Sequence, residues 1–572
     1  MAILALSLWY ILFLPYERNT LQVITGFSWD DWFERSVTST KPTKRYGYFL
    51  HITDMHIDES YLPGATIDSD CHRKPSTYSL KSLENNNHNA ALAGTLGSPG
   101  QHCDSPMALV EQTLNWVKRE WKDKLDFVIW TGDNARHDWD SQNKRKRRHI
   151  YELNAKVKQL MIETFQPTEE DPRMIPLVPA IGNNDIHPHN QIGDDDHGLL
   201  AYYSQLWHEW IPTDQQRSFQ AGGYFAVDVT TNLRVLSLNT LYFYKKNKQV
   251  HGCHKDGLAK QHMDWLEHQL IKAKQDDNTQ IYIMGHVPPS PRDYRRTCFQ
   301  EYTRLATQYQ DIIKGQFFGH LNMDHFLLYN YEQVSNISPS SSSPHLQQLG
   351  LPNYTTQELT MFGDHNITNQ DDDKDVICIN RNIGKYVDWL YDMYATIELP
   401  EKNEINPEGD GDQDQDPSSL MVIQVSPSVL PVYLPTLRIY RYEIDENQHN
   451  LQVMHGKKGN SDQQHHSNNY NKKSSTSSSS SLPFGTLLGY DQYYANITEW
   501  DQVNAFKNTP LEYQLEYTTE EAYGLSDLTV QSYYNLAKDL VDGDTFSEKL
   551  WSNYIKNMFV QTYDHEDINS EN

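Results

Sequence analysis

The sequence predicts an α/β fold with buried sheets, and three observations lead there. Short apolar runs recur from Tyr46 onward, each closed by a polar cluster, the pattern of buried β-strands roughly four to eight residues long. Helical stretches lie between several of the runs, which favours alternating strands and helices over an all-β chain. The polar clusters are rich in Asp, His and Asn and fall just past the carboxyl ends of the strand-like runs, where α/β sheets gather their active sites.

Taken in order, Tyr48–Ile52 runs into Thr53-Asp54-Met55-His56, and Phe127–Trp130 into Thr131-Gly132-Asp133. Met174–Ile181 runs into Gly182-Asn183-Asn184-Asp185, Ile281–Met284 into Gly285-His286, and Gln316–Phe318 into Gly319-His320. Between the first two, Met107 to Lys122 places Leu109, Val110, Leu114, Trp116 and Val117 at helical spacing. A strand-like run covers Leu420 to Tyr442, although the prolines at 427, 431 and 435 argue against one central strand. Leu528, Tyr533, Leu536, Leu540, Phe546, Leu550 and Tyr554 give the tail from Glu521 to Tyr563 a helical period, expected to pack as a C-terminal cap.

The chain of 572 residues exceeds one ordinary domain, so one large catalytic domain with appendages is the expectation. A mean hydropathy of -0.73 points to stretches that do not pack, while 36 Tyr and 13 Trp demand a genuine core elsewhere. Three polar stretches read as disordered insertions: about 335–343, about 401–416 and 446–482. The formal charge of -27 repels polyanions at long range, so no nucleic-acid partner is expected. An anionic substrate would need bound cations or a basic island. Lys144-Arg145-Lys146-Arg147-Arg148 is such an island, with a solvated face as the alternative, and Lys245, Lys246 and Lys248 form a second basic turn.

Residues 1–45 open on an apolar run, Met1 to Leu14, shorter than the ~20 residues a spanning helix needs. It also lacks the basic flank of a signal peptide. A buried element is one reading, and a signal anchor followed by a linker is the one preferred. Five cysteines, none in a CxxC pair, leave room for two disulfides and one spare thiol. With the sequons at Asn336, Asn353, Asn366 and Asn496, they favour an oxidising, glycosylating route.

Asp, His and Asn offer oxygen and nitrogen donors, the set that suits Zn, Mn, Fe or Mg, not a thiolate-selected metal. Asp54 and His56, two apart, are expected on one face of an extended strand exit. Asp133 follows a glycine that permits a tight turn, Asn183 offers a neutral carbonyl, and His286 and His320 each follow Gly. Two ions about 3.5–4 Å apart can clamp a phosphoryl group and activate water without a side-chain nucleophile. Singly these elements are weak, since Asp-Gly and Asn-Asp clusters are usually turns. In their order, DxH, GDxxxHD, GNND, GH and GH are specific.

That order resembles the calcineurin-like metallophosphoesterases, and within them the acid sphingomyelinase-like branch. His51-Ile-Thr-Asp-Met-His-Ile-Asp58, Gly132-Asp-Asn-Ala-Arg-His-Asp138, Ile181-Gly-Asn-Asn-Asp-Ile186 and Gly319-His-Leu-Asn-Met-Asp-His-Phe326 resemble the fungal vacuolar endopolyphosphatase family. The resemblance implies a β-sandwich flanked by helices, with residues 46–445 as catalytic domain and 483–572 packing on it. It implies Asp54 and His56 on a first metal, Asp133 bridging, and Asn183, His286 and His320 on a second. It implies disulfides Cys71–Cys103 and Cys253–Cys298, with Cys378 left over. It further implies two divalent cations (Zn, Mn, Co, Fe or Mg), cleavage of internal bonds of inorganic polyphosphate, and a single-pass vacuolar membrane protein with a lumenal catalytic domain.

Two positions depart from the wider family. Asn184 stands where a histidine usually contacts the phosphate, and Asn322 where a histidine usually binds the first metal. An amide donates a hydrogen bond or offers a carbonyl, but it is no acid. Acid duty is therefore expected to shift to His137, whose alternative role is to orient a ligand. Arg136 and the run Lys144 to Arg148 are candidates to guide the polyanion. The alternatives are a sphingomyelinase-type phosphodiesterase, which needs a lipid-docking region that nothing before Tyr46 supplies, and an inactive scaffold, which has only the two asparagines in its favour.

Overall fold

The computed structural model describes residues 46–75, 92–169, 171–276, 279–335, 383–399, 419–444, 482–504 and 509–563. The chain divides after Tyr46, and the fold below is that of the unit starting at Gly47. The N-terminal apolar run, the insertions expected near 335–343, 401–416 and 446–482 (Ser335 and Leu482 apart), Cys378 and the sequons at Asn336, Asn353 and Asn366 lie outside the described residues. Among the described residues no helix is long and apolar enough to cross a membrane.

The strands in chain order are β1 (Tyr46–Ile52), β2 (Ile57–Asp58), β3 (Ser105–Pro106), β4 (Phe127–Trp130), β5 (Leu177–Pro179), β6 (Phe225–Thr230) and β7 (Leu233–Ser237). They continue with β8 (Gln280–Met284), β9 (Ile313–Phe318), β10 (His325–Asn330), β11 (Leu420–Val425), β12 (Thr436–Glu443), β13 (Leu487–Tyr494) and β14 (Gln514–Thr518). They build two six-stranded sheets, ordered β14-β13-β12-β1-β4-β5 and β10-β11-β9-β8-β7-β6, beside a small β2-β3 ladder. In the first sheet β1, β4 and β5 run parallel. In the second, β7, β8, β9 and β11 do so. Antiparallel pairing completes each sheet at its margins.

The sheets stack through aromatic side chains. Phe49 of β1 lies flat against Phe127 and Tyr440, at 4.7 and 4.8 Å between ring centroids, within its own sheet. It meets Tyr282 and Phe317 of the other sheet at 5.5 and 5.3 Å in tilted and edge-on arrangements. Such geometries suit the ring quadrupole, and burying these rings adds to the apolar stabilisation of the sandwich. The helix Met107–Glu120 buries Leu109, Val110, Leu114, Trp116 and Val117, as its spacing predicts, and sets Trp116 against Tyr493 of β13.

Three features refine the sequence expectations. The run Met174–Ile181 yields only the short strand β5, with Met174 78% exposed, because Pro176 and Pro179 are tolerated only at a sheet edge. The run Leu420–Tyr442 is two strands, β11 and β12, joined by the proline-rich stretch. The tail from Glu521 to Tyr563 is helical as its period predicts, in the helices Val530–Val541 and Thr545–Met558, and before it β13 and β14 extend the first sheet. Those helices bury Tyr533, Leu536, Leu540 and Tyr554, whereas Phe546 points to solvent. The disulfides Cys71–Cys103 and Cys253–Cys298 are both present.

Candidate metal centre

The loops leaving β1, β4, β5, β8 and β9 converge on one buried cluster. They are laced together: Asp54 and His56 donate their backbone N–H to the carbonyls of Gly132 and Asp133, both at 3.0 Å. Gly319 donates to the carbonyl of His286 at 3.1 Å, and Leu430 from the proline-rich stretch donates to that of Asp54 at 2.9 Å. Asp54, His56, Asp133, His320 and Asn322 all adopt positive φ, from 39° to 71°. Non-glycine residues rarely do so, and such strain gathers at functional sites. The exit from β1 is therefore a left-handed turn and not the extended segment expected. Two glycines are required by close approach: a Cβ on Gly182 would strike Asp133 Oδ1, and one on Gly319 would strike Thr53 Oγ1 and Asp54 Oδ2.

Asp133 is at the centre. Its Oδ2 lies 3.4 Å from His56 Nε2 and 3.2 Å from His286 Nε2. On one side, Asp54 Oδ1 stands 3.5 Å from His56 Nε2, while Asp54 Oδ2 is taken up by Thr53 Oγ1 at 2.5 Å and the His320 N–H at 3.0 Å. On the other side, His286 Nε2 lies 2.8 Å from Asn183 Oδ1 and 3.2 Å from His320 Nδ1. His286 Nδ1 donates to the carbonyl of Thr131 at 2.8 Å, which turns Nε2 inward. The structure thus brings Asp54, His56 and Asp133 into one donor group, and Asp133, His286 and His320 into a second that shares Asp133. Asn322 is buried beside His320 in the chain, with its Oδ1 lacking any hydrogen-bond partner.

The donor set fits divalent ions. Asp54 Oδ1, Asn184 Oδ1 and Asn322 Oδ1 are buried acceptors without hydrogen-bond partners, and orphaned buried acceptors call for a ligand. Burial works against charge on His286, but Asp133 and Asp54 outweigh it and lift its pKa to about 9. His56 is raised for the same reason: burial opposes, and the carboxylates of Asp54, Asp133 and Asp104 prevail. Asp133 is held well below the usual carboxylate range, because His286, His56 and Asn184 overcome the cost of burial. His320 is pushed well down by burial and by His286, so it presents a neutral imidazole.

The remaining predicted residues divide by exposure. Asn184 donates Nδ2 to Asp133 Oδ2 at 2.9 Å, so this amide orients the central carboxylate, and its donor is not directed at substrate. His137 is buried with its ring stacked on that of His56 at 4.2 Å. Arg136 and Arg145, offered as substrate contacts, are buried and structural. Arg136 donates to the carbonyls of His137 and Asn143 at 2.8 and 2.5 Å. Arg145 donates to those of Arg136 and Asn184 at 2.6 and 2.7 Å. Lys144, Lys146, Arg147 and Arg148 are exposed, with Arg148 paired to Glu152 at 2.7 Å.

Sequence reasoning missed two supports. His189 Nε2 accepts from Asn183 Nδ2 at 2.7 Å, which leaves the Asn183 carbonyl facing His286. Asp104 accepts from His137 through both the ring Nδ1 and the backbone N–H, at 2.7 and 2.9 Å. A proline-flanked histidine and an aspartate after a cysteine carry no motif, so neither had a signal beyond proximity.

The chain is similar to known proteins. Residues 47–323 match the family described as Calcineurin-like phosphoesterase, and residues 479–572 match Acid sphingomyelin phosphodiesterase C-terminal region. A Schizosaccharomyces pombe protein named Endopolyphosphatase is 30% identical over 552 residues, covering 89% of this chain and 85% of that protein. A Saccharomyces cerevisiae protein of the same name is 28% identical, covering 92% and 87%. One from Cryptococcus neoformans is 33% identical over 74% of this chain, which spans only 61% of that relative's length.

Proposed function

Because the chain belongs to the calcineurin-like phosphoesterases, in the family of fungal proteins named endopolyphosphatase, we propose that it hydrolyses internal phosphoanhydride bonds of inorganic polyphosphate. The reading takes two divalent ions as cofactors, the first held by Asp54, His56 and Asn322, the second by Asn183, His286 and His320, with Asp133 between them. The observation that carries it is the placement of Asp133 Oδ2 within 3.4 and 3.2 Å of one imidazole from each group. Divalent ions bound there supply Lewis-acid charge and a water of lowered pKa.

The chain's own residues do the rest. Asn184 and the backbone hold Asp133 in place, and His189 keeps the Asn183 carbonyl turned inward. His137 donates Nδ1–H to Asp104, so it has a proton to give at Nε2 as the imidazolium, the form this carboxylate stabilises, and a leaving phosphate oxygen takes that proton. A phosphate leaving group is a weak base, so this assistance matters less than it would for an alkoxide. Lys246 stands over the Tyr244 ring at 6.0 Å, and that ring meets His320 edge-on at 5.5 Å, which supports Lys246 as a contact for neighbouring phosphates.

The vacuolar, lumen-facing placement anchored by the N-terminal run is part of the same proposal. Two disulfides support an oxidising compartment, in which the sequon at Asn496 would be a glycosylation acceptor.

Chelation and reconstitution test the reading. Stripped protein should release no phosphate from polyphosphate, and one or more of Zn, Mn, Co, Fe and Mg should restore turnover as two ions per chain rebind. Full turnover with less than one ion bound would refute it.

A further inference from the structure

We propose that Asp104 is a positioning residue shared by His56 and His137, one carboxylate that sets the orientation of both imidazoles. The inference rests on the reading of His56 as a metal ligand and His137 as the proton donor. Asp104 Oδ1 lies 2.7 Å from His137 Nδ1 and 3.9 Å from His56 Nδ1. Its Oδ2 accepts the backbone N–H of His137 at 2.9 Å, so the carboxylate grips that residue twice. His56 Nδ1 is buried without a hydrogen-bond partner, and the anion it faces is this one.

The rings themselves show what the shared carboxylate achieves. Those of His56 and His137 stack with centroids 4.2 Å apart and planes 7° apart. Trp139 stacks on His137 at 4.0 Å, also at 7°. Two parallel rings that both turn Nδ1 toward one oxygen turn both Nε2 atoms away from it. For His56 that is the side where Nε2 meets Asp54 Oδ1 and Asp133 Oδ2, at 3.5 and 3.4 Å. The stacking thereby sets the His137 ring beside that of His56. Asp104 places an anion 3.9 Å from His56 Nδ1, too far for a hydrogen bond but on the side of the ring opposite Nε2, and a carboxylate behind a histidine strengthens metal binding through the other nitrogen.

Asp104 is itself held from both sides. Cys103 before it is tied to Cys71, and Ser105 after it donates its N–H to the carbonyl of His56 at 3.1 Å as β3 pairs with β2. The carboxylate thus sits on covalent and sheet-like supports, the rigidity a positioning group needs.

Cobalt titration of metal-stripped protein, read by absorbance, combined with turnover of polyphosphate at saturating cobalt, tests the proposal on Asp104→Asn, His137→Gln and the double variant. Asp104→Asn should weaken one of the two ions about 10–100-fold, leave the other unchanged, and still saturate at the wild-type stoichiometry. His137→Gln should keep both affinities. At saturating cobalt, kcat of Asp104→Asn should fall to that of His137→Gln, and the double variant should be no slower, since one acts through the other. The unchanged second ion shows that the variant has folded. Unaltered cobalt affinity in Asp104→Asn would overturn the proposal. So would saturation one ion short, which makes Asp104 a ligand, or a double variant slowed by the product of the single effects. If wild-type protein fails to turn over polyphosphate, the functional reading falls, while the cobalt titration still decides the role of Asp104 at His56.

Discussion

Asp54, His56, Asp133, His320 and Asn322 all leave their strands through left-handed backbone, a conformation that costs on the order of 1–3 kcal/mol at each position. The hydrogen bonds among the exit loops offset that cost and hold the donors where two groups share Asp133. The strain and the two close glycines make a sharp prediction. Gly319→Ala should disrupt the Thr53–Asp54 contact and lower metal affinity at least tenfold while the thermal midpoint moves little. An unchanged affinity by titration would show that the loop can yield. His286 supplies a second prediction. Its pKa is raised to about 9 in the metal-free protein, so its pairing with Asp133 is fully present below about 6.5 and is lost as pH rises through 9. Metal must displace that proton, so affinity should rise with pH up to about 9. Calorimetry in buffers of different ionisation enthalpy at pH 7 should record at least one proton released per chain. These candidate donors were legible because Asp54, Asp133, Asn183, His286 and His320 each follow Gly or Thr at a strand exit, with His56 and Asn322 two residues further on, in a recognisable order. Asp104 and His189 were not, because their roles arise from distance in space with no spacing in the chain.

At the scale of elements, the C-terminal strands support the metal loop that runs from Gly319 to Asp324. Asp324, two residues past Asn322, is buried and accepts from Arg438 of β12 and Tyr517 of β14. Its backbone N–H donates to the carbonyl of Met558 in the last helix at 3.0 Å. Breaking a buried ion pair by removing one partner costs about 3–5 kcal/mol. Arg438→Met should therefore lower stability by about that amount in denaturant titration and loosen metal binding through Asn322. A loss below about 1 kcal/mol would mean that Tyr517 and Tyr490 satisfy Asp324 without the arginine. The central strands β1, β4, β8 and β9 were legible as continuous apolar runs, because parallel strands buried on both faces read that way. β6, β7, β13 and β14 were not. In β13 the sequence Leu487-Leu-Gly-Tyr-Asp-Gln-Tyr-Tyr494 alternates buried and half-buried residues and contains Gly489, which dilutes the signal.

Across the whole molecule, a formal charge of -27 opposes an anionic substrate, yet fields at a distance are screened within a Debye length of about 10 Å at 0.1 M salt. What a polyanion meets at the mouth is local. Gln191 bonds the Lys246 carbonyl and the Lys248 N–H, both at 2.9 Å, and so braces the basic turn near His320. Replacing Lys246 and Lys248 together with alanine should raise KM for long polyphosphate several-fold with kcat unchanged, and affect tripolyphosphate less. Equal effects on both substrates would place the lysines outside the chain's path. The central claim is internal cleavage at a site where Asp133 is shared by two metal-binding groups, and product sizing early in the reaction tests it most directly. Incubated with long-chain polyphosphate and its divalent ion and resolved on a gel, the protein should yield mid-length fragments before orthophosphate accumulates. Orthophosphate alone, beside a substrate band that shortens by single units, would contradict it.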